Sequence, residues 1–219
     1  MLRAVFEKKG NAIWISHLDL MRLFQRAFKR AGLHLKHTQG FNPRPSVSIA
    51  LPMAVGVASC CELLDFEIED EGVSCEEIVS RLNEALVSGV KVLKVYEGGR
   101  KQKEIALLQC AIDLHYKNKI PARAQESLEK LFAQDSLMVT KNGKNGPVEQ
   151  DIIPLIKDIA LESVDAEILR IRATVCCQNP ALNPAQLVAA IAANNKSCMP
   201  EYVEYLREEV FDDSHNFFR

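Results

Sequence analysis

The sequence predicts an α+β protein made of two ferredoxin-like (βαββαβ) halves with antiparallel sheets. Three observations predict it. Short stretches such as residues 2–8, 63–69 and 167–175 alternate with the period of a strand. Helical stretches lie between them, opened by Ser16, Ser74, Pro121 and Pro184. The strand–helix rhythm runs through the chain twice, although the halves share no visible sequence identity. The expected division is 1–98 and 99–219, with the linker at residues 98–102.

Leu2, Ala4 and Phe6 alternate with Arg3, Val5 and Glu7, a strand broken only at Val5. Gly10-Asn11 turns the chain, and residues 12–15 read as the returning strand. Ser16 is then an N-cap, with Asp19 as the acid of a capping box. The helix that follows spans about residues 17–31 and stops at Gly32. Residues 33–37 alternate as a strand, which would send His34 and His37 to opposite sides. Residues 46–53 resume as a strand. Residues 63–69 point Leu64, Phe66 and Ile68 inward and leave Asp65, Glu67 and Glu69 as a solvated acidic face. Ser74 caps a helix over 75–87 that Gly89 ends, and residues 90–96 are a strand.

In the second half, residues 105–116 read as a long strand and Pro121 opens a helix to about 134. Residues 136–141 form a strand, followed by the hairpin signal Asn142-Gly143-Lys144-Asn145-Gly146. Residues 148–159 are ambiguous because Pro154 interrupts them. Residues 167–175 are a strand, Pro184 opens a helix through 193, and residues 201–211 read as a final short helix.

The 219 residues are 47% apolar and 26% charged, which excludes disorder, a collagen-like fibre and a coiled coil. The net charge of −2 hides a strong polarity along the chain. Residues 1–50 carry nine Lys/Arg against two Asp/Glu, whereas residues 51–90 carry one against nine. Faces of opposite sign follow, and any nucleic-acid binding must be local. The seven Cys include the adjacent pairs Cys60-Cys61 and Cys176-Cys177, with no CxxC and no CxxxCxxC. They read as reduced thiols of a cytoplasmic protein with no zinc ribbon or iron–sulfur cradle of its own. Met1 to Glu7 is charged early, unlike a signal peptide, and Pro and amide residues break both long uncharged runs. Neither a cofactor, a metal site nor a membrane partner is expected.

Two stretches carry chemistry. Arg22, Arg26 and Arg30 lie at i, i+4 and i+8, a row of guanidiniums suited to phosphates or carboxylates. The bland alternative is a solvated helix face with Asp19 pairing Arg22. The second stretch is Gly40-Phe41-Asn42-Pro43-Arg44-Pro45. Gly40 supplies a backbone shape closed to other residues, while Pro43 and Pro45 stiffen the loop and fix Phe41, Asn42 and Arg44 in direction. Such a loop can receive a base or a peptide edge, or it is a crossover with Phe41 in the core. His17, beside Asp19 at the helix start, is the one candidate general acid or base, but no nucleophile motif accompanies it. The candidate binding residues are therefore His17, Asp19, Arg22, Arg26, Arg30, Phe41, Asn42 and Arg44, with Gly40, Pro43 and Pro45 shaping the loop.

These stretches resemble the radical-SAM-linked domain of unknown function, the DUF2344 family. The resemblance is carried by Trp14-Ile15-Ser16-His17-Leu18-Asp19-Leu20-Met21-Arg22, by Arg26-Ala27-Phe28-Lys29-Arg30-Ala31-Gly32 and by the Gly40–Pro45 hexapeptide. It continues through Gly56-Val57-Ala58-Ser59-Cys60-Cys61-Glu62-Leu63-Leu64-Asp65 and thins beyond residue 100. It implies a companion of a radical SAM enzyme, in gene neighbourhoods with a ribonuclease E/G-type enzyme and ribosomal proteins. It brings no catalytic residues. The expected function is a non-catalytic accessory module that holds RNA, or presents an RNA or ribosomal substrate, through the helix face and the loop. The alternatives are an RNA-processing or RNA-modifying enzyme using His17, and a protein-binding adaptor whose acidic block docks a basic partner.

Overall fold

Ala4 and Phe6, two residues apart on one strand and so on the same face, both join the buried cluster that includes the helix side chains, which fixes the face of the first sheet that meets the helices. The computed structural model describes residues 1–143 and 146–219. The architecture is mixed α+β, with mostly antiparallel strand pairing and four α-helices among the described residues. The chain divides into two compact units, Met1–Gln102 with Arg219, and Lys103–Phe218. None of the described helices is long and apolar enough to cross a membrane.

The first unit runs β1 (Leu2–Lys8), α1 (His17–Arg30), β2 (Val47–Ile49), β3 (Val57–Phe66), α2 (Cys75–Ala85) and β4 (Val90–Glu97). Its strands lie in the order β4-β1-β3-β2, each neighbour antiparallel. The helices cover one face, and the core between sheet and helices is aromatic. Phe6 meets Phe24 with ring centroids 4.7 Å apart, and Phe28 meets Phe66 at 4.8 Å. α1 begins as its capping box requires: Ser16 Oγ accepts from the Asp19 N–H at 3.2 Å and donates to Asp19 Oδ2 at 2.7 Å. It ends where Gly32 takes φ +65°.

Several boundaries depart from the sequence reading. Residues 10–14 form a 3-10 turn rather than a returning strand, because β4 supplies the partner that β1 needs. The turn is seated on Gly89, whose carbonyl accepts from the Lys9 N–H at 2.7 Å. Residues 33–37 make only single bridges, Leu35 to Ile68 and His37 to Pro45, so their backbone is free to turn. The strand expected at 46–53 is cut to three residues. The acidic face expected at 65–69 is not uniformly solvated, since Asp65 is 6% exposed and lies directly opposite Arg3. The segment ending at Gln102 closes over that pair. Arg3 donates to the Arg100 carbonyl at 2.8 Å, and Gln102 Nε2 donates to Asp65 Oδ2 at 2.8 Å.

The second unit runs β5 (Leu107–His115), α3 (Ala124–Phe132), the hairpin β6 (Met138–Gly143) and β7 (Gly146–Asp151), β8 (Ile156–Ser163), β9 (Ile168–Cys176), α4 (Ala185–Asn194) and β10 (Tyr202–Phe211). The sheet order is β10-β5-β9-β8, again antiparallel throughout. Ile112, Leu114, Leu128, Ile171, Leu187 and Ile191 are fully buried. Lys144 and Asn145 of the expected hairpin turn lie outside the described residues; the strands flanking them pair up to Gly143 and Gly146. Residues 202–211 are the strand β10, not a helix, because pairing along the whole of β5 outweighs the helix propensity of their Glu, Leu and Arg. All seven cysteines are free thiols. Burial pushes the Cys110 and Cys177 thiols up to about 12, so both remain protonated and serve as packing.

Candidate functional site

The arginine row stands on α1 as its spacing requires. Arg22, Arg26 and Arg30 are exposed and line one open groove of about 460 Å³ over the apolar side chains of Ile15, Leu23 and Val87. The three are not equivalent. Arg22 donates to Asp19 Oδ1 at 2.9 Å in an exposed pair. The Ser16 hydroxyl, and after it Arg22, hold the Asp19 carboxyl below its usual value. Arg30 donates to the carbonyl of Ala85, the last residue of α2, at 2.7 Å. It therefore caps the negative end of the neighbouring helix. Arg26 is hydrogen-bonded to none of the described residues.

His17 is the first residue of α1 and half-buried. Its Nδ1 is buried without a hydrogen-bond partner among the described residues. It does not line the arginine groove. Asp19 is engaged by Ser16 and Arg22, so that carboxylate does not orient the imidazole. The arrangement lacks the carboxylate–imidazole relay that a general base ordinarily uses.

The proline loop is a hairpin with a closed neck and an open tip. The Thr38 N–H donates to the Arg44 carbonyl at 2.8 Å, and the Arg44 N–H donates to Thr38 Oγ1 at 3.0 Å. Below this neck the Ser46 N–H donates to the Lys36 carbonyl at 2.7 Å. Gly40 takes φ +139° at the tip. Phe41 is fully exposed, which removes the reading that placed it in the core. Asn42, Pro43 and Arg44 are exposed beside it, and Pro45 is half-buried at the base.

The structure does not merge the arginine row and the loop into one groove. The base of the loop borders a second cavity, of about 640 Å³, on the other flank of α1. Gln25, Phe28 and Lys29 of α1 form one wall, and His34, His37, Pro45 and Glu69 complete it. The expectation that His34 and His37 lie on opposite sides of a regular strand is thus corrected: residues 33–37 make only isolated bridges, and both histidines line the same cavity. His34 is braced by Asp70, which accepts from its backbone N–H at 2.7 Å and meets its Nδ1 at 2.9 Å. That hydrogen bond raises the His34 pKa and lowers that of Asp70. Sequence reasoning missed this cavity. The two histidines were its only local signal, and a strand period hid them.

In the second unit, Asp113, His115 and Glu204 bring one ligand atom each to within 4.8 Å of one another. Arg170 already holds both Asp113 oxygens at 2.7 Å, and His115 Nε2 lies 3.4 Å from Glu204. The guanidinium of Arg170 thus balances the Asp113 carboxylate, while Glu204 stands beside the imidazole of His115.

No curated protein matches the chain. Among solved structures it is similar to a chain of a Cbf5-Nop10-Gar1 complex, with TM-score 0.53, 8% identity, and 96% of this chain against 50% of that one covered. The chain spans about half the length of that relative, and the likeness is one of fold alone. An unknown protein from Galdieria sulphuraria aligns over 96% of both chains at 10% identity, with a TM-score of only 0.26. The decisive match is to a family: with its residues 1–184 fitted by the family's model, the chain belongs to the uncharacterized proteins conserved in bacteria known as DUF2344.

Proposed function

We propose that this chain is a non-catalytic accessory module that holds RNA on the exposed face of α1 and at the proline loop, beside a radical SAM enzyme in the cytoplasm. The observation that carries the reading is the three-arginine wall of one open groove, with Arg26 hydrogen-bonded to none of the described residues. Guanidinium forks at this spacing match phosphate oxygens along a strand. The fully exposed Phe41 on a braced neck adds a stacking surface. The unoriented imidazole of His17 favours binding over catalysis. The radical SAM partner rests on the sequence resemblance over residues 13–65. The shared strand orders β4-β1-β3-β2 and β10-β5-β9-β8 support reading each unit as a ferredoxin-like half.

The test is RNA retention as a function of salt. Replacing Arg22 and Arg26 with Ala should lower the slope of log affinity against log salt by about 1.4, at about 0.7 per lost contact on single strands. Retention with an unchanged slope would remove α1 as the RNA face. Co-purification with a radical SAM protein that survives nuclease supports the partnership.

A further inference from the structure

We infer that the cavity between α1 and the proline loop seats one unpaired base of single-stranded RNA, preferring a base with an exocyclic amine. This rests on the RNA reading above and names the ligand's chemistry. The cavity, of about 640 Å³, lies in the range of small-ligand sites. Phe28, Leu33 and Leu35 give it an apolar floor, and Pro45 gives it a rigid edge. A flat π-surface fits such a floor, and the exposed imidazole of His37 offers a stacking partner. The rim is polar and of two signs. Lys29 stands on the α1 side, and Glu69 on the other.

That asymmetry selects the occupant. A carboxylate only accepts hydrogen bonds, so Glu69 matches the two-hydrogen exocyclic amine of adenine, cytosine or guanine, whereas uracil offers a single N3–H flanked by two carbonyl oxygens that a carboxylate repels. Lys29 suits the phosphate of the same nucleotide. Arg22, seven residues before Lys29 on the same exposed ridge, continues the cationic track toward the arginine groove. The charges thus match a nucleotide, with anion at α1 and amine at Glu69. A duplex hides both base faces and its pairing edges, so it cannot enter.

The experiment measures binding of fluorescent oligo(A), oligo(U) and a mixed-sequence duplex RNA to the full chain. Oligo(A) should bind about tenfold more tightly than oligo(U) or the duplex, the ratio expected of one hydrogen bond to a charged group. Glu69→Ala should bring oligo(A) to within about twofold of oligo(U), and Lys29→Ala should weaken both. Both side chains are exposed, so these variants keep the fold. Equal binding of all three RNAs, or a preference that Glu69→Ala leaves intact, overturns the inference while the arginine face stands. Failure to retain any RNA overturns both.

Discussion

Arg3 and Asp65 sit directly opposite each other on β1 and β3 and make a buried two-point ion pair, Nε to Oδ1 at 2.5 Å and the terminal nitrogen to Oδ2 at 2.9 Å. The guanidinium is fully buried, and its pKa is raised chiefly by the hydrogen bond to Asp65. Removing one partner strands the other charge in the interior. Asp65→Ala should therefore cost about 3–5 kcal/mol in denaturant unfolding, whereas replacing both residues with apolar ones should cost far less. Equal losses for the single and the double change would contradict this account.

The arginine row divides into binding and structural members. Arg30→Ala removes the cation from the end of α2 and should cost about 0.5–1 kcal/mol. Arg22→Ala and Arg26→Ala should stay within about 0.5 kcal/mol of the parent, because an exposed pair contributes little. Urea midpoints of the three single variants decide it.

The His34–Asp70 pair gives a titration with a defined sign. His34 has a raised folded pKa, so its contribution is complete below the unfolded imidazole value of about 6.5 and is lost as pH rises through the higher folded value. Asp70, with a lowered folded pKa, contributes above the unfolded carboxyl value and is lost as pH falls through the folded one. The pair is thus intact between the two folded values. Proton NMR of the His34 ring should show a titration above that of a free imidazole, and Asp70→Asn should return it to the ordinary range.

Gly89 is at φ +87°, and a side chain there would run into the Lys9 carbonyl and come within 2.9 Å of Ala12 Cβ. Gly89→Ala should cost more than about 2 kcal/mol, since both the backbone shape and the contact oppose it. Gly72→Ala shares the strained φ of +77° but meets open space, so it should cost less. Thermal melts of the two variants compare the effects.

Legibility in the sequence followed how local each interaction is. The Ser16–Asp19 box is written in four consecutive residues, and the start of α1 was read at its observed position. β10 is not legible locally, because its Glu, Leu and Arg favour a helix while its strand identity comes from β5, far away in sequence. Asp65 looked solvated because Arg3 is 62 positions distant. The arginine row was legible as a helix stripe, but its division of labour depends on where α2 ends. His34 and His37 could not be assigned to one cavity from a pattern that assumes regular pleating.

The closed neck of the proline hairpin has a consequence for how this surface can vary. Thr38 and Arg44 fasten it mainly through their main chains, and the tip from Gln39 to Pro43 is exposed. Amino-acid replacements there leave the interior of the first unit untouched. Apart from Gly40, whose φ of +139° suits glycine, the tip answers to whatever it meets outside the molecule, so the scaffold does not dictate its side chains.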